Sequence, residues 1–431
     1  MIKSDNLFIA FFMLVQLYLT IDRMAVSFIF GGFGFAGEIC HRTYLKDKNI
    51  EELVMKIVIA PDSFKESLSA LQVAQAIEQG FREIFPQADY IKLPMADGGE
   101  GTVESLVAAT GGKQITCTVT DPLGQPVEAF FGLLGDGKTA VIEMAAASGL
   151  HLVPMEQRNP LVTTSYGTGE LILAALEHGI QKLILGIGGS ATNDGGAGMI
   201  QALGANLLDG DGRILPFGGA ALTRLESIDL TALDPRLRQI EFTVACDVNN
   251  PLCGEFGASA VFGPQKGATP KMVKALDSAL RHYGMKIESL TGKSVIDEAG
   301  AGAAGGMGAA LLGCLGVKLQ SGIEIVINTL KLEEVIQGAD LVITGEGRID
   351  SQTIQGKTPI GVARVAKKFG IPAIALVGGM SRDYGVVHQH GLDAVFSIVP
   401  EACSLSEALA KGAENLRVTA RNVAAVWAMS H

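Results

Sequence analysis

The sequence predicts an α/β protein of two α/β domains: a Rossmann-like parallel-sheet domain with a second, mixed-sheet α/β domain inserted into it. Three observations predict it. Short apolar runs alternate with helical repeats from Met55 onward. The 54 glycines follow no Gly-X-Y period and gather after apolar runs, as in ligand loops at strand ends. The stretch 115–144 interrupts the alternation with an antiparallel pattern. With 431 residues, 48% of them hydrophobic, the chain can fill two cores.

Residues 1–54 differ from the rest and hold nine of the chain's 25 aromatic residues. Leu7–Thr20 is an apolar run of 14, short of the roughly 20 residues a spanning helix needs. No basic lead or small-residue cleavage site makes it a secretory signal. Met55-Lys56 followed by an apolar strand reads as a natural start, so 1–54 is expected to be an extension outside the fold.

Lys56–Ala60 reads as the first strand. Ser69 fits a helix N-cap, with Gln72 completing a capping box. Leu71, Val73, Ala74, Ile77, Phe81 and Ile84 follow at helical spacing, and Pro86 lies past the end. Tyr90–Leu93 is a second strand. Thr116–Thr120, Val127–Leu134 and Thr139–Met144, joined by turns at Asp121–Gly124 and Gly135–Gly137, form a meander. Helix-then-strand order resumes at Thr168, with a strand at Lys182–Ile187. Asp340–Thr344, Ala373–Val377 and Ala394–Val399 are further short strands. Residues 55–112 with 321–431 then make one discontinuous domain, and 113–320 the inserted one.

Charge and spacing exclude several functions. With 34 Lys and Arg against 45 Asp and Glu, the net charge is −11, which argues against a nucleic-acid surface. The six cysteines are scattered, and Cys246 and Cys253 have the wrong spacing for a zinc knuckle. Reduced thiols and a cytoplasmic protein, with no membrane partner, are expected. Gln355–Thr358 and Thr291–Ser294 resemble P-loop tails, but Ser351 and Ile287 stand where the first glycine belongs. Gly300–Gly305 matches a dinucleotide fingerprint without the βαβ unit that would lead into it. It reads as a close-packed helix start or a substrate loop.

The strongest motif is Gly188–Gly198, which follows the Lys182–Ile187 strand. Gly188 and Gly189 let a backbone approach a ligand, and Ser190, Thr192 and Asn193 suit phosphoryl oxygens. Asp194 suits a metal ion or a hydroxyl proton. Other strand ends carry acids beside small residues: Asp62 and Ser63 with Lys65, Asp97 and Glu100 among glycines, Asp247, and Glu346 with Arg348 and Asp350. Carboxylates facing one cleft would hold Mg²⁺, while Lys65, Arg348 and Lys357 would bind anions. The combination points to phosphoryl transfer.

The segments Met55–Ala70, Ala96–Thr102, Ser165–Glu170, Gly188–Gly198, Ala245–Leu252, Phe262–Ala268, Gly302–Gly308 and Thr344–Thr353 closely resemble the bacterial glycerate kinase family, type I. The resemblance runs from Met55 almost to the C-terminus. It implies two α/β domains around a closing cleft and an ATP- and Mg²⁺-dependent kinase acting on D-glycerate, at the 2-hydroxyl in many members. Asp194 is expected as base or metal ligand, with Asp194→Asn abolishing turnover and sparing the fold. Lys65 and Arg348 are expected to bind the carboxylate or stabilise the transferring group. Gly188, Gly189, Ser190, Thr192 and Asn193 would hold the nucleotide phosphates, and Asp247 and Glu346 the metal. Asp62, Ser63, Asp97, Glu100 and Asp350 would line the substrate. A 3-kinase, a non-catalytic hydroxy-acid sensor and a homodimer remain open alternatives.

Overall fold

The computed structural model describes residues 54–429. The expectations for 1–53 lie outside the described residues. The strands, in chain order, are β1 (Lys56–Ile59), β2 (Asp89–Lys92), β3 (Lys113–Thr120), β4 (Pro126–Leu133), β5 (Thr139–Glu143), β6 (Lys182–Gly186), β7 (Asn206–Asp209), β8 (Leu225–Asp229), β9 (Glu241–Ala245), β10 (Lys318–Gln320), β11 (Leu341–Thr344), β12 (Arg348–Ile349), β13 (Ala373–Val377), β14 (Gly379–Met380) and β15 (Ala394–Ser397). One sheet runs β15-β13-β11-β1-β2 and is parallel throughout. The other runs β10-β9-β6-β5-β4-β3, parallel from β10 to β5 and antiparallel from β5 to β3. The expected class is therefore observed: a parallel sheet, with a mixed-sheet α/β unit inserted between its second and third strands in sequence.

The central strands of both sheets are covered on both faces, which is why β1, β6, β11 and β13 read as short apolar runs. Alternate residues enter different cores. Ile57 and Ile59 join one cluster with Phe81, Leu416 and Ala420, under the helices Ala70–Arg82 and Gly412–Ala428. Val58 and Ala60 point the other way, into a cluster with Ile323, Val326 and Val362. That second cluster also takes Val141, Ile184 and Ala245 from the mixed sheet, so one apolar layer joins the two sheets. Ile142, Leu183 and Leu185 face outward into a third cluster with Leu171, Leu280 and Tyr283. The first helix begins as expected. The Ser69 hydroxyl accepts from Gln72 N at 3.3 Å, and Ser69 N donates to the Gln72 side chain at 2.9 Å. Among the described residues no helix is long and apolar enough to cross a membrane, and the five described cysteines are free.

Candidate active site

Parallel strands bring their carboxyl ends to one side of a sheet, and ligands bind there. Here the chain leaving β2, β6 and β9 opens onto one cavity of about 400 Å³, within the ~300–1,000 Å³ typical of ligand sites. Asp97, Gly98 and Gly99 line one wall, with Lys65 at the end of β1. Gly188, Gly189 and Ser190 after β6 line another, and Cys246, Asp247 and Val248 after β9 a third. Lys266, Ala303 and Ala304 line it as well, with Leu150, Phe262 and Gln265.

Close backbone packing sets the distance between the two acid-bearing loops. Gly98 has φ +89°, and a Cβ on it would lie 2.7 Å from Gly322 Cα. A Cβ on Gly322 would lie 1.9 Å from the Asp97 carbonyl oxygen. The same Gly322 donates its N–H to Asp247 Oδ1 at 3.1 Å. Two glycines thus let the Asp97 loop and the Asp247 loop meet. Burial pushes the Asp247 carboxyl up, Ser321 and Gly322 oppose this, and the Asp97 charge adds to it.

The acids continue across the parallel sheet. Asp62 accepts from Ser63 N at 2.7 Å and from the Thr358 hydroxyl at 2.6 Å. Burial, then the Asp97 charge, pushes it up to about 6. Glu346 accepts from the Thr353 hydroxyl at 2.7 Å and lies 3.7 Å from Lys357 Nζ. Burial pushes it up to about 7, with Asp62 and Asp350 adding repulsion. Asp97 thus adds to the rise of both Asp247 and Asp62, and Asp62 to that of Glu346. Asp97 and Asp247 line the cavity; Asp62 and Glu346 do not.

A carboxyl that resists ionisation when folded destabilises the fold as pH rises. For Glu346 the loss begins near 4.5, its ordinary value, and is complete above about 7. Glu346→Gln keeps the Thr353 bond and cannot ionise. Its melting temperature is expected to exceed wild type at about pH 8, by up to about 3 kcal/mol of stability, and to match it at about pH 4. Equal differences at both pH values in a thermal melt would remove burial of Glu346 as the cause.

The Gly188–Gly198 loop divides its duties. Ser190 faces the cavity. Thr192 and Asn193 are fully buried, and the Thr192 hydroxyl and Asn193 Oδ1 have no partner among the described residues. Asp194 is 1% exposed and does not line the cavity. Its Oδ2 accepts from Ser165 N at 2.9 Å, Ser165 Oγ at 2.8 Å and Gly198 N at 3.3 Å, and its Oδ1 from Gly196 N at 3.2 Å. Burial raises this carboxyl and those four bonds oppose the rise. The loop rests on the Gly300–Gly306 segment, where Ala304, Gly305 and Gly306 are all left-handed. A Cβ on Gly305 would fall 2.0 Å from the Thr192 carbonyl oxygen. The dinucleotide-like spacing thus belongs to a packing contact and a piece of cavity wall.

Of the expected residues, the structure brings Lys65, Asp97, Gly188, Gly189, Ser190 and Asp247 together. Asp62, Ser63, Glu100, Thr192, Asn193, Asp194, Glu346, Arg348 and Asp350 do not line the cavity. Arg348 is 73% exposed on the β12–β14 pair, 3.9 Å from Asp350, and Glu100 is exposed. Lys266 was missed. It is 2% exposed, in the turn Pro264–Lys266, and its Nζ donates to Ser190 Oγ and to the Thr192 carbonyl, each at 2.6 Å. Burial pulls its amine down to about 7, with Asp194 opposing. The available signal was a single lysine among Gly263, Pro264 and Gly267.

The donor set suits Mg²⁺. Among the described residues no three His, Cys, Asp or Glu side chains form a closed cage. Mg²⁺ is held by one or two carboxylates plus phosphate and water, and the Asp97–Asp247 pair supplies hard oxygen ligands whose repulsion a cation relieves.

Residues 57–428 match the model of the glycerate kinase family. A Haemophilus influenzae protein named glycerate kinase is 64% identical over 374 residues, covering 87% of this chain and 99% of that one. An Escherichia coli protein named glycerate 2-kinase is 60% identical over 375 residues, covering 87% and 98%. A crystal structure from Salmonella typhimurium, described as a glycerate kinase 2, superposes with a TM-score of 0.82 at 60% identity, over 88% of this chain and 99% of that one. A fold and sequence shared along nearly the whole length of these relatives, and a family match over residues 57–428, place the chain in the glycerate kinase family of enzymes.

Proposed function

We propose that the chain transfers the terminal phosphoryl group of ATP to the 2-hydroxyl of D-glycerate, giving 2-phospho-D-glycerate and ADP. The observation that carries this reading is the cavity wall itself, in which a glycine loop, Asp97 and Asp247, and Lys65 and Lys266 face one space. Gly188 and Gly189 leave room for phosphate oxygens. Asp97 and Asp247 would hold Mg²⁺, which neutralises phosphate charge during transfer. Lys65, whose side chain is exposed, reaches the same space and suits the glycerate carboxylate. Arg348 stands apart on an exposed strand pair and is assigned no contact with the reacting groups. The choice of the 2-hydroxyl follows the name of the Escherichia coli relative. Dependence on ATP and the free thiols suit a cytoplasmic enzyme.

Phosphorus NMR of the protein with ATP, Mg²⁺ and D-glycerate tests this. A new phosphomonoester signal matching 2-phosphoglycerate is expected. A 3-phosphoglycerate signal would overturn the regiochemistry and keep the kinase. No new signal from folded protein would overturn both.

A further inference from the structure

Asp194 spends its carboxylate on Ser165, Gly196 and Gly198, so the proton of the acceptor hydroxyl needs another destination. Ser190 Oγ and Lys266 Nζ lie 2.6 Å apart, and both residues line the cavity. Nζ also lies 2.6 Å from the Thr192 carbonyl. Both partners are uncharged oxygens. An ammonium uses two of its three N–H donors on them. A neutral amine can still donate to the Thr192 carbonyl while its lone pair accepts from the Ser190 hydroxyl. Both oxygen contacts therefore persist in either protonation state, and a proton can arrive without breaking them.

We propose that Ser190 and Lys266 form a dyad that accepts the proton of the substrate hydroxyl, with Ser190 meeting the hydroxyl and Lys266 holding the proton. This rests on the kinase reading above. As the substrate oxygen bonds to the γ-phosphorus, the bond from that phosphorus to the β–γ bridging oxygen breaks, and its electron pair leaves with ADP. The hydroxyl proton passes to Ser190 Oγ, and the Ser190 proton passes to Lys266 Nζ. The resulting ammonium releases it to solvent when product leaves. An amine with a value of about 7 is matched to this task at neutral pH. Lys65, Asp97 and Asp247 share its cavity. Asp194 lies behind it, and Arg158 reaches the neighbouring Gln265 carbonyl at 3.4 Å.

The test is the pH profile of kcat for wild type, Lys266→Arg, Lys266→Met and Ser190→Ala, with circular dichroism to check folding. Wild-type kcat is expected to fall on the acid side of about 7. Both Lys266 variants should lose roughly 10²-fold or more in kcat with little change in KM for glycerate, and their residual rate should lack that acid limb. Asp62 and Glu346 titrate in the same window. A limb belonging to them would persist in Lys266→Arg, and its persistence would overturn the dyad. So would near-wild-type turnover by Lys266→Arg, because a fixed positive charge would then suffice. If neither Lys266 variant folds, a wild-type profile flat through neutral pH, or a Ser190→Ala variant with unchanged kcat, overturns it. Failure of the kinase reading is distinct: wild type then makes no phosphoglycerate at any pH, and the proposal falls with it.

Discussion

Asp247→Asn is expected to lower kcat by about 10²–10³-fold while leaving the melting temperature close to wild type. Asp247 is solvent-accessible, with its carboxyl sheltered in the cavity, and it follows the buried end of β9, Thr243–Ala245, so losing its charge opens no core. Asparagine Oδ1 can keep the bond from Gly322 N, now 3.1 Å. What disappears is one of two negative charges facing the cavity. An ion held by two carboxylates and a phosphate chain loses several kcal/mol when one ligand becomes neutral, and about 1.4 kcal/mol is tenfold in rate. The apparent Mg²⁺ requirement should rise, and added Mg²⁺ should recover part of the rate. Asp97→Asn should behave alike, and if both carboxylates hold one ion, as proposed, the double variant should cost less than the product of the two. Steady-state kinetics at varied Mg²⁺ checks this. An Asp247→Asn enzyme with wild-type kcat and Mg²⁺ dependence would remove the pair from the metal site. Glu100→Gln, exposed and outside the cavity, is the control expected to leave kcat unchanged.

The fold class was legible because burial on both sheet faces leaves a simple mark: β1, β11 and β13 are short apolar runs, and helices with capping signals separate them. The antiparallel edge was legible from its turns, since Asp121–Gly124 and Gly135–Gly137 end in glycines with positive φ. The β7–β8 hairpin was not anticipated. Only Leu207, Leu225 and Ile228 of its strands are core residues, a signal too sparse to separate from loop.

The site was partly legible. Acids and glycines after strands are visible in sequence, and three such loops do meet at the cavity. Strand-end position alone does not say which way a side chain turns. Asp97 and Asp247 line the cavity, whereas Asp62 and Glu346, at equivalent strand ends, are taken up by Thr358 and Thr353. Lys266 escaped for a different reason. Its role depends on contact with a loop 76 residues earlier, and no local spacing encodes that.

Asp194→Ala is expected to destabilise the fold by about 4 kcal/mol and to abolish measurable turnover. Its four donors belong to Ser165, Gly196 and Gly198, and three of them are backbone N–H groups. An orphaned buried donor costs roughly 1–3 kcal/mol, and a charged acceptor is the hardest to replace. Asp194→Asn retains one acceptor oxygen but turns an NH₂ toward N–H groups, so a loss of about 2 kcal/mol is expected. The sequence led to the expectation that this substitution spares the fold; the burial of the carboxylate and its four bonds argue for a loss instead. Activity should fail with stability for one reason. The bonds that fix Asp194 also fix the turn carrying Ser190 and the Thr192 carbonyl, to which Lys266 is tied. Ser165→Ala offers a milder form of the same change. It deletes one bond to Asp194 and one from Met199 N, at 2.8 and 3.0 Å, without touching the cavity. Urea denaturation of the three variants beside their kcat values decides the matter. If loop posture is what Asp194 supplies, stability and rate fall together in the order Ser165→Ala, Asp194→Asn, Asp194→Ala. An Asp194→Asn protein with a wild-type urea midpoint and no turnover would instead give the carboxylate a direct chemical role.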